Sequence, residues 1–175
     1  MIRLIRSISN KPIYVDANQG WLTKEHALKM CQWLAEQGVV LIEQPMPKHM
    51  NEEHAWLCER VELPIIADEA CQTYADVAGL QPYYDGINIK LMKCGGVAEA
   101  RKMIALAREL GMQVMIGCMT ETSAGISAAT TLSPLVDYAD LDGHVLLAND
   151  PYTGIQLVDG TLTLVNKPGT GVTPL

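Results

Sequence analysis

Nowhere in the chain does an apolar run approach the roughly 18–20 residues needed to cross a bilayer, so no membrane span or membrane partner is expected. Met1–Ser9 carries Arg3 and Arg6, but no signal-peptide apolar core follows them. Basic residues are scarce as well: 13 Lys and Arg stand against 20 Asp and Glu, a formal charge of −7, and no basic stripe is present. The phosphate-neutralising surface required for nucleic-acid binding is missing, which excludes that class of partner. Cysteine pairing is lacking too. Cys31, Cys58, Cys71, Cys94 and Cys118 are odd in number, scattered and never spaced C-x-x-C, which argues against both a disulfide framework and a zinc knuckle. Reduced, mostly buried thiols and a cytoplasmic location are expected. No low-complexity tract or linker divides the 175 residues, and with 49% of them hydrophobic the chain can bury a substantial core.

What is present is a repeated pattern of apolar strand, polar strand end and amphipathic helix. Ile13-Tyr14-Val15 ends at Asp16, Val39 to Ile42 at Glu43, and Ile65-Ile66-Ala67 at Asp68. Ile87-Asn88-Ile89 then ends at Lys90, Val114-Met115-Ile116 at Gly117, and a weaker Tyr138-Ala139 at Asp140. Runs this short, bounded by turn residues and separated by helical segments, predict parallel strands buried on both faces. Helical spacing places Ala27, Leu28, Cys31, Leu34 and Ala35 on one face between Thr23 and Gly38, and Val97, Ala100, Met103, Ile104 and Ala107 on one face of a helix closed by Gly111. Glu52–Arg60, Tyr74–Leu80 and Thr122–Leu132 fill the other crossovers. Ile2, Ile5 and Ile8 share helical spacing ahead of Asn10-Lys11-Pro12, so the chain opens on the tail of a helix. Near its end, Ile155–Val158 and Thr161–Val165 flank Asp159-Gly160, which predicts a two-stranded hairpin.

The strand ends carry the chemistry. Asp16, Glu43, Asp68 and Lys90 are separated by 27, 25 and 22 residues, about one βα unit each, and in barrels and doubly wound sheets such positions converge on one mouth. Three carboxylates brought together repel one another, so a bound cation is implied, and an all-oxygen set open to water and substrate suits Mg²⁺ better than zinc. For any single position, capping of the following helix is an equally good explanation; the regular recurrence favours a site. Lys90 points into the same mouth, where a cation and partial desolvation would depress its pKa and make it a general base. Lys93 falls on the opposite face by strand periodicity and is expected as a turn or surface residue beside Gly95-Gly96. A base beside a metal that can hold a carboxylate suggests removal of the proton α to that carboxylate, through an enediolate.

Taken together, Val15-Asp16-Ala17-Asn18-Gln19-Gly20-Trp21, Ile42-Glu43-Gln44-Pro45, Ala67-Asp68-Glu69 and Asn88-Ile89-Lys90-Leu91-Met92-Lys93-Cys94-Gly95-Gly96 resemble the third to sixth barrel strands of the enolase superfamily, muconate-lactonizing subgroup. The resemblance implies Asp16, Glu43 and Asp68 as Mg²⁺ ligands and Lys90 as acid/base, with Asn18 and Glu69 as supporting residues behind them. Asp140-Leu141-Asp142 resembles the Asp-x-Asp of the dipeptide epimerases, which implies a clamp for the α-ammonium of a dipeptide substrate. Two carboxylates two residues apart on an extended segment face the same way and can grip one ammonium, although such a pair alone is more often a solvated strand end. Gly117–Thr122 resembles the seventh strand, lining the pocket without a single assigned role, and His144 is expected as a loop residue.

The fold expected is α/β, an incomplete TIM-type barrel of about six βα units corresponding to strands 3–8, with a C-terminal hairpin. A complete barrel takes about 250 residues, and six-eighths of that is about 190. Residues 1–175 then form the C-terminal part of a barrel domain, and Ile13–Asp16 and Tyr138–Asp140 are unpaired edges prone to association, as a homo-oligomer or with another chain. The family's capping domain and its second-strand Lys-x-Lys do not precede Met1. Inverting a centre requires an acid and a base on opposite faces of the enediolate, so the isolated chain is not expected to epimerise. Two alternatives stand beside this reading. One is another enzyme of the subgroup: a cycloisomerase, an o-succinylbenzoate synthase or an N-acylamino-acid racemase. The other is a non-catalytic remnant or assembly module.

Overall fold

A computed structural model describes residues 1–175. Six strands, β1 (Ile13–Asp16), β2 (Val39–Glu43), β3 (Ile65–Ala67), β4 (Gly86–Lys90), β5 (Gln113–Gly117) and β6 (Tyr138–Ala139), form one parallel sheet in sequential order. Between them run α2 (Lys24–Glu36), α3 (Asn51–Cys58), α4 (Tyr74–Leu80), the single turn α5 (Leu91–Cys94), α6 (Val97–Glu109) and α7 (Ser123–Thr130), with α1 (Ile2–Ile8) preceding β1. Every strand expected from the apolar runs is present, and α3, α7 and the hairpin differ from expectation only by a residue or two at their ends. No helix is long and apolar enough to cross a membrane.

Strand alternation sorts the side chains into two cores. Outward-facing Ile42, Ile65, Ala67, Ile87, Ile89, Val114 and Ile116 join a cluster of 29 buried residues with Ala27, Cys31 and Leu34 of α2 and Ala100, Met103, Ile104 and Ala107 of α6. Inward-facing Leu41, Ile66 and Met115 form a separate small core, with Tyr138 packed against it. A sheet apolar on both faces reads as short continuous runs rather than alternation, which is why these strands were legible. The sheet curls into a partial barrel. β1 and β6 lie at opposite ends of the strand order and share no ladder, yet Tyr14 and Tyr138 meet edge to face with ring centroids 5.6 Å apart. The Tyr138 hydroxyl also donates to Gln113 Oε1 at 3.0 Å.

Helix ends follow the local rules. Thr23 caps α2 by accepting from the His26 amide, and Thr73 with Asp76 makes a reciprocal capping box on α4. α5 was not expected; it closes one turn after Lys90 because Gly95, at φ +94°, adopts the left-handed conformation that ends a helix. The C-terminal region holds the expected hairpin, β8 (Gln156–Val158) with β9 (Thr161–Thr163), turned at Asp159-Gly160. It also holds an unexpected short pair, β7 (Tyr152–Thr153) with β10 (Thr173–Pro174), which ties the C-terminus back to the loop after β6. Two residues per strand leave no periodicity to read.

Candidate active site

The carboxyl ends of the strands place Asp16, Glu43, Lys90 and Gly117 at one level of the partial barrel: Asp16 pairs in register with Glu43, and Lys90 with Gly117. Asp68 follows directly after β3. Lys90 Nζ donates to Asp68 Oδ2 at 2.9 Å and lies 3.9 Å from Glu43 Oε1, with the lysine side chain 12% exposed and the two carboxylates 5% and 6%. The grouping expected from the spacing of strand ends is therefore formed, and Lys90 sits inside it.

Each carboxylate has its own support. Asp16 accepts from the Asn18 amide at 2.7 Å and from Asn18 Nδ2 at 2.6 Å, so Asn18 braces the Asp16 carboxylate. Glu43 Oε1 accepts from Asn88 Nδ2 at 2.6 Å. Asn88 faces inward from β4, and Gly117 leaves it room: a Cβ there would lie 2.6 Å from Asn88 Oδ1. Glu69 is different. It lines a cavity of about 520 Å³ with Lys48, His49, Asn51, Gln72 and Asp76, of which Asp16, Glu43 and Asp68 form no part, and its buried Oε2 has no partner.

Lys93 departs from expectation. Its Nζ donates to Asp68 Oδ1 at 2.6 Å, with the side chain 15% exposed, so it is a member of the cluster and not a surface residue. The period changes from two to 3.6 at Lys90, where α5 begins, and a residue three positions on in a helix returns to the same face. The Gly95-Gly96 pair that closes α5 was the signal that could have shown it.

The charge state of Lys90 depends on what else neutralises the carboxylates around it. Burial alone would depress the Lys90 pKa, but the hydrogen bond and charge of Asp68, with Glu43 and Asp16 behind it, outweigh burial and raise it. Lys90 is thus held as an ammonium while the carboxylates around it have no other cation. Glu43 is pushed up to about 7, first by burial and then by Asp16 and Asp68, against the Asn88 hydrogen bond and Lys90. Burial likewise raises Asp16, helped by Asp68.

A pH dependence follows for the metal-free chain. The folded pKa of Glu43 lies above its ordinary 4.5, so between pH 4.5 and about 7 the native state keeps a proton that the unfolded chain has released. That stabilisation is complete below the lower value and lost as pH rises through the upper one. Urea unfolding of wild type and Glu43→Gln in EDTA should therefore show wild type losing stability relative to the variant across this window. Parallel curves would mean that Glu43 is ionised throughout.

No three carboxylate, histidine or cysteine side chains close on one point at metal-ligating distance, since Asp68 is turned to two ammonium groups. The donor chemistry nonetheless fits a hard divalent cation. Three carboxylates from adjacent strands face only two lysines, neither of them paired with Asp16, and beside Glu43 the buried Asn88 Oδ1 lacks a donor.

Asp140 and Asp142 flank buried Leu141 and both line a cavity of about 550 Å³ with Leu157 and Leu162 of the hairpin region. Burial and the neighbouring Asp142 raise the Asp140 pKa, while Lys90 is close enough to lower it. The two aspartates line one cavity, although β6 ends at Ala139 and Asp142, at φ −95° and ψ 0°, is not in extended conformation. The Cys118 thiol, raised by burial, lies near both of them.

Relatives match nearly the whole chain. The L-Ala-D/L-Glu epimerase of Bacteroides thetaiotaomicron is 55% identical over 172 residues, covering 98% of this chain and 45% of that protein. Among solved structures, the substrate-liganded L-Ala-D/L-Glu epimerase of Bacillus subtilis superposes with a TM-score of 0.90 at 32% identity, covering 99% of this chain and 51% of that one. The dipeptide epimerase of Enterococcus faecalis, complexed with Mg and the dipeptide L-Leu-L-Tyr, has a TM-score of 0.90 at 36% identity, covering 98% of this chain and 51% of that one. The chain spans about half the length of the curated relatives it matches. A family profile, enolase C-terminal domain-like, matches residues 1–175, so the partial barrel and its row of strand-end residues belong to a chain of the enolase superfamily.

Proposed function

We propose that this chain supplies the metal ligands, one acid/base and the ammonium clamp of a Mg²⁺-dependent dipeptide epimerase. In this reading it forms the C-terminal six βα units of the barrel, strands 3–8. The observation that carries the proposal is the placement of Lys90, hydrogen-bonded within the carboxylate cluster and electrostatically coupled to Asp140 of the second acidic pair. The relatives' names point the same way.

Asp16, Glu43 and Asp68 would hold Mg²⁺, which when bound supplies positive charge to the substrate carboxylate as the α-proton leaves. Lys90 in its neutral form takes that proton on Nζ, and the electron pair of the broken C–H bond moves toward the carboxylate. Lys90 can act as a base only when the surrounding carboxylates are engaged elsewhere, because their charges now keep it protonated. Asp140 and Asp142 receive the dipeptide's ammonium in charge-assisted hydrogen bonds, fixing the α-carbon of the second residue against Lys90. Inversion requires proton delivery from the other face. Lys90 and Lys93 share Asp68, so neither serves that face.

The test is α-proton exchange of alanyl-glutamate in D₂O with Mg²⁺, using the full-length protein and its Asp140→Asn variant. A hydrogen bond to a charged group is worth about 1.5–3 kcal/mol, so KM for the dipeptide should rise roughly 10–100-fold. An N-acylamino acid, which has no ammonium, should be a poor substrate of both forms. If the variant turns over the dipeptide normally and N-acylamino acids react well, the racemase alternative replaces this reading.

A further inference from the structure

Gln44 follows the expected ligand Glu43 and is fully buried, with a backbone φ of +34° that non-glycine residues rarely adopt. All the hydrogen-bonding capacity of its carboxamide is used. Oε1 accepts from the backbone amides of Asp68 at 2.9 Å and Ala70 at 3.1 Å. Nε2 donates to the Met46 carbonyl at 3.2 Å and to the Tyr84 hydroxyl at 2.9 Å. Tyr84 is itself buried and packs on the buried His54 ring, with centroids 4.5 Å apart, so the far end of the amide is anchored to a fixed group. The backbone of Gln44 is held as well: its N–H donates to Ile66 O at 2.9 Å and its carbonyl accepts from Gln19 at 2.8 Å.

The β2–β3 ladder ends at the pairing of Glu43 with Ile66. Just beyond it, the Gln44 side chain supplies an acceptor to two amides that the ladder no longer serves, and those amides flank Glu69 in the turn that presents the Asp68 carboxylate. We infer that Gln44 is a positioning residue for the metal site, setting where Asp68 aims its carboxylate without touching metal or substrate itself. The inference rests on the Mg²⁺ reading above. Groups behind a metal ligand typically change metal affinity 10–100-fold when removed.

The experiment is Mg²⁺ titration by calorimetry on the wild-type protein and on Gln44→Met, which keeps the length of the side chain and removes the amide. Thermal unfolding in EDTA is measured in parallel, with Tyr84→Phe as a comparison that loosens the Nε2 anchor but leaves the two Oε1 bonds. Gln44→Met should weaken Mg²⁺ binding at least about tenfold, while Tyr84→Phe lowers the melting temperature with little effect on affinity. If affinity follows melting temperature in both variants, the role is structural and the inference is overturned. If Gln44→Met does not fold, Gln44→Glu, which keeps an acceptor for both amides, should bind Mg²⁺ within about threefold of wild type, and a loss of about tenfold would equally overturn it. A wild-type protein that binds no Mg²⁺ overturns both this inference and the metal reading. Wild-type binding that Gln44→Met leaves intact overturns the inference alone.

Discussion

Lys90→Ala is expected to reduce α-proton exchange of the dipeptide by about 10²–10⁴-fold, the usual contribution of a positioned general base. The same change should leave Mg²⁺ affinity equal or tighter. The Lys90 ammonium sits 2.9 Å from Asp68 Oδ2 and 3.9 Å from Glu43 Oε1, so it competes with any cation for those oxygens. Removing it also relieves like-charge repulsion against a bound ion. Collapse of the site would lower exchange and metal affinity together, whereas loss of the base separates them. Deuterium incorporation followed by NMR, with Mg²⁺ titration on the same sample, reads both. Exchange within tenfold of wild type would remove Lys90 from the acid/base role.

Asp68→Asn should have the opposite signature and the larger cost to folding. Both carboxylate oxygens are in use, Oδ2 by Lys90 and Oδ1 by Lys93, and all three side chains are at most 15% exposed. Taking away the anion leaves the nearly buried Lys93 ammonium without a carboxylate and Lys90 with only Glu43 at 3.9 Å, and breaking a buried pair this way costs about 3–5 kcal/mol. For a chain of this size that corresponds to a fall in Tm of roughly 6–20 °C. Mg²⁺ binding should also be lost, since one of three ligands is gone. Adding Lys93→Met to Asp68→Asn should recover part of the Tm but none of the metal binding, because it removes one stranded charge without restoring a ligand. A double variant no more stable than Asp68→Asn would show that Lys93 is not buried against Asp68 in solution.

Much of the fold was written in local sequence. Four of the six barrel strands are mostly apolar runs closed by a charged residue and a fifth, β5, closes at Gly117, while α2 and α6 carry continuous apolar faces with recognisable ends. These signals survive in a single sequence because each depends on a few neighbouring residues and on a fixed period. Asn88 could also have been noticed: it is a polar residue at the inward position between Ile87 and Ile89, where burial demands a partner. Gln44 offered less, since nothing adjacent to it shows that its amide reaches Asp68 and Ala70 across to the next strand. That Glu69 lines a cavity without Asp16, Glu43 or Asp68 was equally hidden, because it follows from the path of the loop after β3.

The sequence by itself determined which residues stand at the strand ends. Strand period and βα-unit length are local quantities, and together they place Asp16, Glu43, Asp68 and Lys90 on one rim. Only the tertiary structure decided how those residues meet. The curl that brings Tyr14 to Tyr138, the return of Lys93 to Asp68 through one helical turn, and the bracing of Glu43 by Asn88 join residues from different elements. Such contacts depend on how strands are curved and on what lies opposite, and neither is set by any short stretch of chain. The state of Lys90 follows from the same cause: its place in the chain suggested a base, while the carboxylates packed around it hold it as a cation until they are otherwise engaged.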